Sequence, residues 1–486
     1  MVVEQTEERV GTDGHRLKSV FAANRQAVVV IHGIGSQRPM DTLRSFVDAV
    51  LNVDPGGANG AKYYSKPDDL SSTFELRRLQ STESRPRTDY FELYWQHLVP
   101  TATWRKIYSW LTLLLGRGVP DVPPALRKLW LFSWAVCIAI VCVLLLTIIE
   151  WLLPMLGWLP AWVRGPLTVP LGIAVTLALL QGLILSYVGD AATYLSPNPE
   201  NIEARQAVRE AGVRLLERLH NGHDAELVYD RIVFVGHSLG SIIGYDILTH
   251  AWPRFHEAHG KTPTPVHQEL PRAEAIAKKL LAANGNGGDA FERTRDAWLQ
   301  ASRRLWLEQR ENRFAWLVTD FITLGSPLSH ALLLLARNQN EFDRKKQERE
   351  FPTCPPQLDN GRTFSYPLNY KIDGEVRRTV RCLHHAALFA VTRWTNLFFA
   401  ARFVLKGDLI AGPIAPALGC GVVDIPVRTA TLRGWLAHTS YWRCGKGDRS
   451  DRESAINALT TALDIRRQTF KHTDSSDEIP NANKPT

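Results

Sequence analysis

The stretch IVFVGHSLGSIIGYDIL, residues 232–248, decides the fold that this sequence predicts. Its first four residues are all apolar, which is typical of a strand that is buried on both faces of a sheet. Gly-His-Ser-Leu-Gly follows, and the apolar residues beyond it recur at helical spacing. The pattern therefore predicts a strand, a sharp turn that carries Ser238, and a helix that begins at Leu239.

This turn would expose the hydroxyl group of Ser238 beyond the end of the strand. Gly236 and Gly240 flank the serine at positions where a side chain would collide with the strand or the helix. The helix that begins at Leu239 would direct a backbone N–H and its positive dipole end toward the position where an oxyanion forms. The arrangement indicates a nucleophilic serine, and the alternative is a glycine-rich turn with an ordinary serine.

Other strand and helix patterns alternate along the chain. RQAVVVIHGIG at residues 25–35 predicts a second buried strand, which ends in His-Gly-Ile-Gly. Further strands are predicted at residues 90–95, 316–328, 394–400 and 422–428, a hairpin at 372–375, and helices at 202–219, 239–251 and 451–468. This alternation predicts an α/β fold with a mainly parallel sheet and helices on both faces.

An apolar segment interrupts this pattern between residues 130 and 189, where Glu150 and Arg164 are the only charged residues. Residues 130–149 would form a helix about 30 Å long, which matches the hydrocarbon core of a bilayer. Residues 165–189 could form a second span, and the turn between them contains prolines and tryptophans. We expect a transmembrane helical hairpin. The alternatives are two buried core helices, or a hairpin that enters the bilayer without crossing it.

The charges beside the hairpin predict its orientation. Arg117, Arg127 and Lys128 precede the first span, and Arg205 and Arg209 follow the second, whereas the turn holds a single arginine. Positive residues stay on the cytoplasmic side, so both flanking parts of the chain should be cytoplasmic and the protein a two-span membrane protein.

The amino-acid composition limits the partners, the cofactors and the cellular compartment that we expect for this protein. The net charge of +8 is mild for 486 residues, and the basic residues are scattered, so we expect no nucleic-acid partner. The six cysteines show no CxxC spacing, which indicates neither a disulfide framework nor a zinc site and suits a reducing compartment. The N-terminus lacks the apolar region of a signal peptide. We expect no metal and no cofactor.

Five short motifs recur in order along the chain: HGIG (32–35), GHSLG (236–240), TLGSPL (323–328), WTNLFF (394–399) and HTSYW (438–442). Together they resemble the motifs of lipases and esterases in the α/β-hydrolase superfamily. The resemblance covers nearly the whole chain outside the apolar segment. It implies an α/β-hydrolase fold in which the hairpin is inserted between the HGIG strand and the nucleophile strand.

The resulting domain plan has five parts. They are a tail at residues 1–24, the first part of the core at 25–127, the transmembrane hairpin at 128–190, the second part of the core at 191–472, and a disordered tail at 473–486. A helical cap is expected within the second part of the core, at about residues 253–314.

The resemblance also implies a catalytic triad. Ser238 would be the nucleophile, Asp408 after the penultimate strand the acid, and His438 after the last strand the base. Rival candidates are the pair His384-His385 for the base, and, for the acid, Asp320 and Asp424.

The oxyanion hole would use the backbone N–H groups of Ile34 and Leu239. Gly33 and Gly35 would let the backbone come close to the substrate. Together these features predict a membrane-anchored serine hydrolase that cleaves a carboxylic ester through an acyl-enzyme. The expected partners are a bilayer, through residues 130–189, and a lipid or other amphiphilic ester as substrate. A catalytically inactive scaffold and a membrane-perturbing effector with a hydrolase-like sensor domain are the alternatives.

Overall fold

The computed structural model describes most of the chain outside the apolar segment. The described ranges are 20–34, 38–52, 62–68, 70, 75–82, 86–99, 199–221, 228–259, 268–283, 288–312, 314–372, 375–401, 407–408, 410–429, 437–445 and 447–475, with Tyr194 and scattered positions between 116 and 145. The chain divides into two compact units, of which the first comprises residues 1–97, 206–331 and 340–486 and the second residues 98–205 and 332–339.

The first unit is built on an eight-stranded sheet. In the described part of the chain the strands are β1 (Arg25–Ile31), β2 (Tyr63–Pro67), β3 (Arg77–Ser81), β4 (Arg87–Leu93), β5 (Arg231–His237), β6 (Val318–Leu324), β7 (Ser365–Ile372), β8 (Glu375–Leu383), β9 (Arg393–Phe398) and β10 (Val423–Pro426). Their order in the sheet is β10-β9-β6-β5-β1-β4-β3-β2, and β7 and β8 form a separate hairpin. From β10 to β4 every pairing is parallel, which confirms the predicted mainly parallel sheet.

Helices cover both faces of this sheet. In the described part of the chain the helices are α1 (Asp41–Leu51), α2 (Pro199–Asn221), α3 (Leu239–His259), α4 (Glu269–Ala283), α5 (Asp289–Glu311), α6 (Ala331–Leu335), α7 (Gln339–Gln347), α8 (Ala415–Leu418), α9 (Ala455–Leu463) and α10 (Gln468–Ser475). Residues 332–335 of α6 and the first turns of α2 belong to the second unit. On one face Val30 of β1 packs in one hydrophobic cluster with Phe46 of α1 and Leu459 of α9. On the other face α3 contacts Phe321 of β6 so closely that a Cβ atom at Gly244 would lie 2.9 Å from its ring.

Three arginines surround Asp320 near the amino end of β6. Arg231 and Arg303 donate hydrogen bonds of 2.7 to 3.0 Å to its carboxylate, and Arg393 donates at 2.9 Å. Burial raises the pKa of Asp320, but the three positive charges outweigh it and hold this pKa well below its usual range. The cluster therefore fastens α5 to strands β5, β6 and β9 at the amino edge of the sheet.

One helix of the predicted cap, α5, packs at the amino edge of the sheet. A Cβ atom at Gly421, just before β10, would lie 2.8 Å from Nε1 of Trp298 in α5. Trp306 of the same helix packs against Phe21, just before β1, with ring centroids 6.0 Å apart. Since these contacts all lie at the amino ends of the strands, α5 runs along the edge opposite to Ser238 and does not cover it. The reason is that its buried side chains pack on the amino edge.

The chain ends also differ from the prediction. Phe21 is packed, so the N-terminal tail does not extend to residue 24. The single helix predicted at 451–468 is two helices, because Asp464 adopts a left-handed φ of 42° that ends α9. Since α10 continues to Ser475, the expected disordered tail does not begin at residue 473. Residues 476–486 lie outside the described residues.

No helix among the described residues is long and apolar enough to cross a bilayer. The predicted hairpin at residues 130–189 lies almost entirely outside those residues.

Candidate active site

The structure brings Ser238, Asp408 and His438 together at the carboxyl edge of the sheet. His438 Nε2 lies 2.8 Å from the Oγ atom of Ser238, and its Nδ1 lies 2.8 Å from Oδ2 of Asp408. Ser238 directly follows β5, while Asp408 and His438 follow β9 and β10 in the chain. Because the carboxyl ends of parallel strands meet at one edge, three residues far apart in the sequence form one hydrogen-bonded line.

Ser238 sits at a tight turn between β5 and α3. Its φ angle of 51° is in the left-handed region, which is uncommon for a residue other than glycine. A Cβ atom at Gly236 would lie 2.5 Å from Cα of Ser241, and one at Gly240 would lie 2.3 Å from the carbonyl oxygen of Ile31. Both glycines are thus required by the backbone that approaches them.

Gly240→Ala is expected to lower the free energy of unfolding by about 3 kcal/mol, since the added methyl group meets fixed backbone atoms. Gly412→Ala is the matched control, because its Cβ atom would approach only the side chain of Ser329, with Cβ at 3.3 Å and Oγ at 3.6 Å. Urea denaturation of both variants measures the difference. Equal stabilities would show that the turn tolerates a side chain at residue 240.

The candidate oxyanion donors lie beside Ser238. Leu239 is buried as the first residue of α3, where its backbone N–H is near the helix terminus. The loop after β1 approaches from the other side, and a Cβ atom at Gly33 would lie 2.8 Å from Cβ of Ser238. Ile34, the second candidate donor, is the residue after Gly33 in this loop. Gly35 lies outside the described residues.

The carboxyl group of Asp408 accepts four hydrogen bonds. Oδ1 accepts from the backbone N–H groups of Ile410 and Ala411, at 2.9 and 3.3 Å. Oδ2 accepts from His438 and, at 2.8 Å, from the hydroxyl group of Tyr441. Burial raises the pKa of Asp408, but the charge of His438 and these hydrogen bonds outweigh it, and the net shift lowers this pKa. Asp408 is therefore held as a carboxylate in one orientation.

His237 fastens the segment of His438 to the turn. Its Nε2 donates to the backbone carbonyl of His438 at 2.9 Å, and its ring packs edge-on against Trp442 at 4.9 Å. Burial, and secondarily the charge of His438, lowers the pKa of His237 to about 3, so this ring is neutral at physiological pH. Sequence reasoning missed His237 and Tyr441 as site residues, although both lie within the quoted motifs.

The rival candidates have other partners. His384 is buried, with Nε2 3.1 Å from the carbonyl oxygen of Gln357. Asp424 accepts hydrogen bonds from Asn396 and from the backbone at Ile414. Asp320 belongs to the arginine cluster at the amino edge. Within the described part of the chain, no group of three or more His, Cys, Asp or Glu side chains is placed to hold a metal ion.

Comparisons with known proteins identify no relative of this chain. Models of known protein families, curated proteins and solved structures were all searched, and none of the three searches returned a match. The function must therefore be inferred from the site itself.

Proposed function

We propose that the chain is a serine hydrolase with an α/β-hydrolase fold, on the lipase and esterase side of that superfamily. The observation that carries the proposal is the line Ser238–His438–Asp408, in which both hydrogen bonds measure 2.8 Å. A serine, a histidine and a carboxylate in this order are the parts that acyl transfer through a serine requires.

The reaction would proceed in two halves. Oγ of Ser238 attacks the carbonyl carbon of an ester while Nε2 of His438 takes the hydroxyl proton. The oxyanion accepts hydrogen bonds from the backbone N–H groups of Leu239 and Ile34, and Asp408 stabilises the imidazolium. His438 then returns the proton to the leaving alcohol as the C–O bond breaks. In the second half, His438 takes a proton from water, which attacks the acyl carbon, and returns that proton to Oγ of Ser238 as the bond between Oγ and the acyl carbon breaks and the acid is released.

A lipid or another amphiphile is the proposed substrate class, with the protein anchored in the membrane and the hydrolase domain on its cytoplasmic side. Five described side chains of the first predicted span support this proposal. They recur every three or four positions, so they share one helix face, and they are 38 to 59% exposed: Leu131, Trp134, Ile138, Val141 and Leu145. An exposed apolar stripe of this kind calls for an apolar surrounding, which a bilayer supplies.

Activity-based labelling tests the proposal directly. The full-length protein, purified in detergent and incubated with a fluorophosphonate probe, should gain one covalent adduct, on the peptide that contains Ser238. A panel of esters and phospholipids would then identify the acyl chain and the head group. Absence of labelling with the folded protein would refute the hydrolase and favour the inactive scaffold.

Replacement of residues 130–189 by a short Gly/Ser linker separates chemistry from anchoring. The shortened enzyme should hydrolyse short, water-soluble esters at the rate of the full chain, because the triad lies outside the replaced segment. It should lose most of its activity on lipid in vesicles, since it no longer stays at the bilayer. Paired rate measurements on the two substrates check this. Equal rates on vesicle lipid for both forms would contradict the anchoring role.

A further inference from the structure

The hydroxyl group of Tyr441 shares an acceptor atom with His438. It donates to Oδ2 of Asp408 at 2.8 Å, the same oxygen that lies 2.8 Å from Nδ1 of His438. The phenol oxygen in turn accepts a hydrogen bond of 3.2 Å from the backbone N–H of Phe399. Because that N–H occupies a lone pair of the phenol oxygen, the hydroxyl proton is directed at the carboxylate.

Tyr441 has no room to turn away from this position. The side chain is fully buried, and its ring centroid lies 4.6 Å from that of Phe399 and 5.8 Å from that of His237. A Cβ atom at Gly325 would lie 2.5 Å from Cε2 of Tyr441 and 3.1 Å from Oδ2 of Asp408. Gly325 therefore leaves the space in which the phenol and the carboxylate meet, and its φ of 61° suits glycine.

The positions of the three residues along the chain suggest what the contact between Tyr441 and Asp408 does. Asp408 and His438 reach the site on separate segments, after β9 and β10, whereas Tyr441 follows His438 by three residues. The segment that carries the base thus also carries a second donor for the acid. We propose that Tyr441 is a positioning residue that holds Asp408 ionised and oriented toward His438, an inference that rests on the proposed hydrolase function.

The groups that face Asp408 determine the direction in which the Tyr441 hydroxyl shifts the pKa of this carboxyl group. They are the His438 and His237 rings, the Tyr441 hydroxyl group and the backbone N–H groups of Ile410 and Ala411. The hydrogen bond from the hydroxyl of Tyr441 stabilises the ionised carboxylate more than the protonated carboxyl group, so it lowers the pKa of Asp408. Its removal would make Asp408 take up a proton at higher pH and would free one of the two contacts at Oδ2.

Tyr441→Phe removes the hydroxyl and keeps the ring. The pH at which Asp408 takes up a proton, followed by the NMR chemical shift of its ¹³C-labelled carboxyl carbon, should rise by about one unit. At neutral pH kcat should fall by about tenfold, less than for loss of the acid itself, with KM nearly unchanged. Difluorotyrosine at residue 441, a stronger donor, should move the titration of Asp408 in the opposite direction.

Tyr229→Phe is the matched control, because Tyr229 is buried and its hydroxyl donates to Oδ2 of Asp89 at 2.7 Å, near the amino ends of the strands. It removes the same kind of hydrogen bond away from Ser238, so it should leave the titration of Asp408 and kcat unchanged. An unmoved titration of Asp408 in Tyr441→Phe, or an equal movement in Tyr229→Phe, would overturn the positioning role.

A readout that needs no turnover separates this inference from the hydrolase proposal. The downfield NMR resonance of the proton on Nδ1 of His438, assigned by its loss in His438→Gln, should shift in Tyr441→Phe and stay in Tyr229→Phe. An unchanged resonance in folded Tyr441→Phe refutes the inference. A shifted resonance in a protein that no fluorophosphonate labels supports the positioning contact and refutes the hydrolase.

Discussion

Ser238→Ala is expected to abolish fluorophosphonate labelling and to lower kcat for ester hydrolysis by roughly 10⁶-fold. The substitution removes Oγ, the atom that forms the bond to the acyl carbon and that lies 2.8 Å from the base. What remains is the stabilisation of the oxyanion by backbone donors and the binding of substrate, which supports only a small residual rate. Of all the changes considered, this one removes the largest part of the proposed reaction.

The fold should survive this change. Ser238 is 3% exposed, and alanine keeps its Cβ atom in the turn. Ser302→Ala is a suitable control, because Ser302 is equally buried in α5 and its hydroxyl has no hydrogen-bond partner among the described residues. That variant should label as the wild type does. Labelling of Ser238→Ala at the wild-type level would assign the reactive nucleophile to another residue.

Much of the fold could be predicted because its core strands are short runs of apolar residues. Such runs mark strands that are buried on both faces. β1 and β6 lie within the predicted segments, and β5 begins one residue before its own. The antiparallel strands β2 and β3 escaped prediction because they are short and largely polar, as expected at the edge of a sheet. The order of the strands also had no signal in the sequence, since it depends on contacts between distant segments.

Part of the candidate site could likewise be predicted from the sequence, and part of it could not. The glycine pattern around Ser238 identifies a turn by local sterics, and Asp408 and His438 were identified by family resemblance and by their positions after strands. The hydrogen bond between His237 and His438 joins residues that are 201 positions apart in the chain, and the one between Tyr441 and Asp408 joins residues that are 33 positions apart. Local periodicity carries no information about contacts of that range, so only the structure brings these two side chains to the triad.

The position of α5 shows most clearly what could not be predicted from the sequence. Its many charges and its place between two strands fit a solvent-exposed cap. In the structure Arg303 is 2% exposed and paired with Asp320, so a charged residue contributes to the buried side of the helix. A buried charge needs an opposite charge nearby, and that partner lies 17 residues away, in β6. Composition alone could not distinguish this helix from a lid.

Asp408→Asn is expected to lower kcat by roughly 10³ to 10⁴-fold with little effect on KM. An asparagine amide has one oxygen and one NH2 group, whereas the four donors around Asp408 need two acceptor atoms. If the NH2 group takes the place of Oδ2, it faces His438 and Tyr441; if it takes the place of Oδ1, it faces two backbone N–H groups. Either orientation also removes the negative charge that stabilises the imidazolium.

Asp424→Asn provides the comparison for this prediction. Asp424 is also partly buried, close in the chain, and accepts hydrogen bonds from Asn396 and two backbone N–H groups, but it does not contact His438. Asp424→Asn should lose about 1 to 3 kcal/mol of folding free energy, because it weakens these hydrogen bonds. It should keep kcat within about tenfold of wild type, because Asp424 does not contact His438. Steady-state kinetics and urea denaturation of the two variants separate the effects. If Asp424→Asn proved the more damaging to kcat, Asp408 would not be the acid, and the hydrogen bond at Nδ1 of His438 would serve only to hold the loop in place.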